Sequence, residues 1–333
     1  MSTLTHDTPV GGTPAGPDVA AARVSAGLAF ALISAVSFGL SGALARGLIE
    51  TGWSAGAMTL VRVALGAAAL TPFGIAALRG RWGVLRRNLG LLAGYGTVAV
   101  AGAQFCYFSA VQHMQVGPAI LIEFTAPAAV VVYLWLRRGQ RPGRMTLAGA
   151  AVAALGLVLV LDLLSGASLS VPGVLWALGA MVGCATYFII SADEDNGLPP
   201  LVLAWGGLLV GAVGLAALGL VGLLPMHAST DATSYAGRQV AWWVPLVVVG
   251  LVSAALAYVA GIAAGRRLGS RLASFVALLE VVASVGWAWL LLDELPGTVQ
   301  LLGGLLILAG VIAVKAGERS VVVRASMRPS GVA

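Results

Sequence analysis

The sequence is poor in charge. Only 10% of its 333 residues are Asp, Glu, Lys or Arg, while 59% are hydrophobic. A soluble domain carries about 25% charged residues, because charge hydrates its surface. A chain with so little needs lipid rather than water around it. Cysteine and histidine are scarce too. Cys106 and Cys184 stand apart inside apolar runs. That spacing excludes a disulfide framework or cysteine metal motif and leaves them as small packed hydrophobes. The three histidines are His6, His113 and His227. No HExxH pair, acid-rich metal motif or Walker phosphate loop occurs, so metal hydrolysis and direct use of ATP find no residues to carry them. The acidic stretch at 193–197 (DEDNG) lacks EF-hand spacing and reads as a solvated loop. The chain predicts no cofactor, no metal and no catalytic set.

What is present is long apolar runs and 45 glycines, a usage that suits closely approaching membrane helices. A spanning helix needs ~20 apolar residues at 1.5 Å each. Ten segments qualify: 24–45, 55–77, 89–110, 115–136, 145–164, 172–191, 199–223, 241–264, 271–292 and 298–315. They are too long and too continuously apolar for barrel strands, which alternate. The expected fold is an all-α integral membrane protein. Residues 1–22, rich in Thr, Pro, Gly and Ala, are expected to form a disordered tail.

The net charge of +6 reports topology rather than nucleic-acid binding, because the basic residues lie between apolar runs. With a cytoplasmic N-terminus, sixteen Lys and Arg fall on the inside and two, Arg46 and Arg238, on the outside. That asymmetry puts both termini in the cytoplasm. The inside loop with Asp193, Glu194 and Asp195 has no basic residue of its own.

The chain also repeats itself. A shift of 154 residues overlays 110–158 on 264–312 without gaps, with 11 identities in 49 positions. Trp135 meets Trp289, Pro142-Gly143 meets Pro296-Gly297, Gly149 meets Gly303 and Gly156 meets Gly310. The period implies five spans per half, and an odd number inverts the second half relative to the first, an arrangement that transporters use. The expected units are a tail (1–22), a first five-helix repeat (23–166), a second (167–317) and a cytoplasmic C-terminal tail (318–333).

The doubled segments GPAILIEFTAPAAVVVYLWLRRGQRP (117–142) and ASFVALLEVVASVGWAWLLLDELP (273–296), each followed by a Gly-spaced final span, resemble the EamA branch of the drug/metabolite transporter superfamily. Pro127 stands where that family has a proline, Val281 stands at the matching place in the second half, and Gly139-Gln140 replaces a usual Gly-Glu. The run LIEFTAP (121–127) is similar to the amino-acid exporters of the branch. The resemblance implies a multi-pass carrier in the cell membrane.

Three charges fall within spans: Arg62, Glu123 and Glu280. Such groups are costly in lipid and mark function by default. Arg62 lies ~10 Å, Glu123 ~12 Å and Gln104 ~9 Å below the outer edge at 1.5 Å per residue, so one polar patch is expected from Arg62, Gln104, Tyr107 and Glu123. In that patch Arg62 and Glu123 would neutralise each other, either as a substrate site or as a structural pair. Glu280 lies ~14 Å into its span, near the midplane, and is expected either to hold a proton or to line a wet cavity, where it and Glu123 are the candidates for proton coupling. Gly90/Gly94, Gly207/Gly211 and Gly261/Gly265 are expected as close helix contacts. Pro118, Pro127 and Pro199-Pro200 would start or kink helices.

The expected function is secondary transport, in the export direction, of small metabolites such as amino acids. Proton-coupled multidrug efflux is the alternative, and a membrane-embedded enzyme a distant third. The expected partners are a small-molecule substrate and the lipid bilayer, with no nucleic acid; a homodimer is compatible with this reading.

Overall fold

In lipid a backbone must satisfy its hydrogen bonds within one segment, which long apolar runs do by coiling. The computed structural model describes residues 17–113, 122–160, 170–293 and 297–326, and these are helical almost throughout. The order is α1 (Pro17–Glu50), α2 (Ala55–Ala77), α3 (Trp82–Arg87), α4 (89–113), α5 (Ala126–Arg138), α6 (Arg144–Val160), α7 (Val171–Ser191) and α8 (Pro200–Leu220). A two-stranded antiparallel hairpin follows, β1 (Thr233–Tyr235) and β2 (Arg238–Val240), then α9 (Trp243–Val276), α10 (Leu279–Leu292) and α11 (Thr298–Ser326). Helix begins at Pro17 and runs on to Ser326, so residues 17–22 and 318–326 of the expected tails are helical.

Among the described residues, six helices are long and apolar enough to cross a membrane: 21–50, 55–77, 89–107, 171–191, 200–220 and 243–276. Three more, 144–159, 279–292 and 301–317, are apolar but shorter. Their outer faces are greasy. Leu136, Val171 and Leu220 are 75%, 75% and 88% exposed, which water would not tolerate over so wide a belt. Trp135 and Trp289, equivalent under the 154-residue shift, both lie on that outer face.

Two helices carry π-helical stretches, Tyr95–Gly102 within α4 and Val249–Leu256 within α9. They too are related by a shift of 154 residues. α9 is interrupted at Gly269, whose φ of 76° and ψ of 160° no helix holds. Along α1, Gly27 lies against Arg267 and Leu268, Ser34 bonds to the Ala257 carbonyl, and Gly39 meets Glu280 and Ser284. The chain therefore descends α9 to Gly269 and climbs back through α10.

Glycines set the closest seams. A Cβ on Gly156 would stand 2.6 Å from the Gly303 carbonyl oxygen, and one on Gly149 would stand 2.7 Å from that of Gly310. α6 and α11 thus cross antiparallel with their backbones in contact. Gly207 faces the Tyr95 ring, Gly211 faces Val100, and Gly265 faces the Ser191 backbone. Gly90 and Gly94 have nothing within 4 Å of a built Cβ, so that pair is no helix contact; both are exposed, on the outward face of the helix whose Leu92 packs inward. Pro127 and Pro200 sit in the first turns of α5 and α8, where the missing N–H costs nothing, and kink neither helix. Pro118 lies outside the described residues.

At one end of the bundle Arg23 bonds Glu194 at 2.7 Å and the Arg266 carbonyl at 2.9 Å, while Arg266 reaches Ser191 and Asn196. The acidic 193–195 loop is thus embedded among arginines supplied by other segments. At the other end the hairpin latches onto the bundle: the Tyr235 hydroxyl donates to the Leu44 carbonyl at 2.6 Å, and the Trp53 indole donates to Ser229. Trp242 stacks on Trp53 there.

Candidate functional site

Arg62 projects from the buried face of α2. Taking a guanidinium out of water costs several kcal/mol, so its surroundings must answer for that charge. One terminal nitrogen donates to the Ser253 carbonyl at 2.8 Å and the other to Gln104 Oε1 at 3.4 Å. Ser253 lies in the π-helical stretch of α9, where the wider turn leaves a carbonyl out of register with the ordinary helical ladder. The guanidinium also lies 5.8 Å from the centre of the Phe38 ring. Gln104 in turn lies beside the Tyr258 hydroxyl. Among the described residues no carboxylate comes within 4.0 Å of Arg62.

Phe38 and Tyr258 also line a cavity of about 140 Å³ inside the bundle, which Arg62, Gln104 and Ser253 do not themselves line. Ala31 and Ala35 of α1, Ala99 and Ala103 of α4, and Ala264, Ala273 and Ala277 of α9 and its C-terminal edge make room for it. The larger walls are aromatic. Phe38, Tyr187 and Tyr258 meet edge to face, with ring centres 5.1 to 6.5 Å apart, and Phe124 and Phe188 complete the lining. The Tyr187 hydroxyl is seated on Gly261, where any side chain would displace it, and has no hydrogen-bond partner among the described residues.

Two carboxylates face this space, Glu123 and Glu280. Each stands where a helix is interrupted. Glu123 precedes the turn at 124–125, closed by Thr125 N–H to the Ile122 carbonyl, before α5 begins. Glu280 lies in the first turn of α10, just after the break at 277–278. Glu280 is within electrostatic reach of both Glu123 and Arg62. Under the 154-residue shift Glu123 matches Ala277 and Glu280 matches Ala126. The halves therefore contribute one carboxylate each, a helical turn out of register.

The structure regroups the expected residues. Arg62 and Gln104 do meet, but Arg62 bonds Gln104 and a backbone carbonyl rather than Glu123. Equal depth in the bilayer does not fix the side of a helix, and Glu123 turns into the cavity. Tyr107 sits instead in an apolar cluster with Ala110, Ala177, Ile122, Val174 and Trp176, away from the cavity wall. Glu280 shares the cavity with Glu123. Phe38, Phe188, Ser253 and the seat that Gly261 provides for Tyr187 were not singled out from sequence. Cys184 lines the cavity and Cys106 packs against Gly179, both as free thiols.

The sequence model described as the EamA-like transporter family matches this chain twice, over residues 25–162 and 171–315. The "Uncharacterized inner membrane transporter YicL" of Salmonella typhimurium is 25% identical over 301 residues, covering 88% of this chain and 96% of that protein. The "Pseudopaline exporter CntI" of Pseudomonas aeruginosa is 26% identical over 220 residues, covering 64% and 72%. One solved crystal structure superposes with a TM-score of 0.69 at 23% identity, covering 88% of this chain and 98% of the other, a likeness of fold.

Proposed function

Because the chain belongs to the EamA-like transporter family, we propose that this multi-pass membrane protein is a secondary transporter that exports small metabolites such as amino acids by alternating access. The observation that carries the reading is the cavity itself. It lies inside the bundle and is lined by one carboxylate from each half, and behind its wall a guanidinium held in place by its own bonds lies within electrostatic reach of Glu280. With both carboxylates ionised the three charges sum to −1. A single proton, or the ammonium of a solute, brings the site to neutrality, and exchange of one for the other couples export to proton entry. The aromatic walls hold the apolar part of the solute.

Ten spans in two inverted five-helix repeats, with both termini cytoplasmic, complete the proposal. Three observations support it. Lys and Arg are distributed sixteen to two between alternate loops. The π-helical stretches recur at a spacing of 154 residues. The antiparallel seam of α6 and α11 exchanges Gly149–Gly310 for Gly156–Gly303, the reciprocal contact of a pseudo-two-fold axis.

The test is uptake by the purified protein in liposomes, with labelled amino acids, with and without a pH gradient. Transport of one class, accelerated by the gradient, is the expected result. Glu123→Gln and Glu280→Gln should each lower it by about tenfold or more. Wild-type rates in both variants would sink the site while sparing the fold. A second reading, proton-coupled efflux of lipophilic cations, draws support from the five aromatic rings around two carboxylates. Transport of such a cation by a folded protein that moves no amino acid would favour it.

A further inference from the structure

The short helix α3 (Trp82–Arg87) joins two helices long and apolar enough to span, 55–77 and 89–107. It therefore lies at a surface of the bilayer, whichever way the chain is oriented. Its two faces differ. At about 100° per residue, Val84, Leu85 and Asn88 point one way, and Trp82, Gly83, Arg86 and Arg87 the other. Val84 and Leu85 pack against the core that holds Leu78, Leu92 and Leu198, and the Asn88 amide donates to the Asn196 carbonyl at 2.9 Å. A helix this short is marginal alone, so that packing is what holds it. The packing also fixes where the other face looks.

That other face is exposed throughout. Trp82 is 46% exposed, and nothing lies within 4 Å of a Cβ built on Gly83. Arg79 and Arg81, also exposed, flank Gly80, whose φ of 75° turns the chain into α3. Four guanidiniums thus gather between residues 79 and 87, and no Asp or Glu stands between Glu50 and Glu123. Among the described residues none of the four side chains has a hydrogen-bond or ion-pair partner. The acidic 193–195 loop adjoins the packed face instead, through Asn196, and its Glu194 is held by Arg23.

We propose that the exposed face of α3 is a docking surface for the headgroup of an anionic phospholipid. Arg86 and Arg87 hold the phosphate over the bare Gly83, and the Trp82 ring lies against the upper acyl chain. The chemistry follows from charge and place. Unmatched like charges on one short segment raise the local potential and draw anions. At a bilayer surface the anion at hand is a lipid phosphate, whose oxygens the guanidinium fork matches. An indole beside the arginines settles at the headgroup level, whereas a dissolved anion would make no use of it. Nothing here depends on what the protein transports.

The test uses the full chain carrying Cys106→Ala, Cys184→Ala and Gly90→Cys, with bimane on the new thiol. Gly90 is exposed with nothing within 4 Å of a built Cβ, and it follows α3 closely in the chain. Liposomes contain equal amounts of phosphatidylglycerol and phosphatidylcholine, with a nitroxide high on the acyl chain of one or the other. Quenching should show an affinity about tenfold higher for phosphatidylglycerol. Arg86→Gln with Arg87→Gln should bring the two lipids close together; both arginines are exposed and unbonded, so the protein still folds. Arg141→Gln with Arg144→Gln, exposed arginines of the loop after α5, should leave the preference standing. Equal quenching in the parent protein would overturn the proposal. So would an equal loss of preference in the two double variants, since that means a diffuse surface field and no docking on α3. Added inorganic phosphate should leave the preference unchanged; its abolition would mean that a dissolved anion fills the face, and would overturn the lipid assignment.

Discussion

Replacing Gly156 by alanine tests the seam on which the two halves meet. A Cβ there would lie 2.6 Å from the Gly303 carbonyl oxygen, 2.7 Å from the Ile307 nitrogen and 2.9 Å from the Leu306 Cβ. Two of those three atoms are backbone, so no rotamer change relieves the clash. To reach even 3.0 Å, α6 and α11 must separate by about 0.4 Å along their contact, and close packing has no slack to absorb that. Overpacking of this kind costs about 1–3 kcal/mol, and immovable partners put this site toward the upper end. Alanine is the better helix former by about 0.8–1.0 kcal/mol, which offsets part of the loss. The net expectation is a destabilisation of about 2 kcal/mol. Gly286→Ala in α10 is the control, since nothing lies within 4 Å of a Cβ there; it should keep the whole propensity gain and stabilise by up to about 1 kcal/mol. Unfolding of the purified variants in detergent, followed by tryptophan fluorescence, compares them. If Gly156→Ala is as stable as Gly286→Ala, the backbones do not touch at that seam and the reciprocal contact fails with it.

Arg62→Lys keeps the charge but cannot span Gln104 and Ser253 with one planar fork. Transport in liposomes should fall by about tenfold or more with the protein still folded, and an unchanged rate would show that the fork is dispensable. Tyr187→Phe removes a hydroxyl that no described residue bonds, so detergent unfolding should show no loss of stability, or a gain of about 1 kcal/mol. A loss larger than that would reveal a partner for this hydroxyl. Tyr235→Phe should cost about 1 kcal/mol through the lost bond to Leu44. Burial pushes the Tyr235 phenol up to about 12. Its contribution is therefore complete below the ordinary tyrosine value of about 10 and lost as pH rises through 12. Alkaline unfolding of Tyr235→Phe should lack that step.

Hydropathy compares each stretch of chain with its solvent, a local property, so the sequence alone told where helices lie. The runs at 55–77 and 172–191 reappear as Ala55–Ala77 and Val171–Ser191. Charge is equally local, and the loops rich in arginine do gather at one end. The glycines at 149, 156, 303 and 310 stood out as matches within the repeat, with no partner named. The candidate site was legible only as residue types: Arg62, Glu123 and Glu280 stood out because ionisable groups are rare in apolar runs.

Their grouping was decided by tertiary structure. Depth along a helix axis is one coordinate of three, and each residue turns the side chain by about 100°. Arg62 and Glu123 at one level were expected to pair, yet each helix's rotation sends Arg62 to Gln104 and the Ser253 carbonyl and Glu123 into the cavity. Tyr107 is turned out of the cavity lining for the same reason. Helix interruptions at 124–125 and 277–278 also escaped the sequence, because apolar runs continue through them and only packing makes the chain break there, whereas the break at Gly269 falls between the runs 241–264 and 271–292. The cavity exists because α1, α4 and α9 present alanines and one glycine to a common centre that side chains of α7, α10 and residues 123–124 wall in, a coincidence of separate segments that no single stretch of sequence contains.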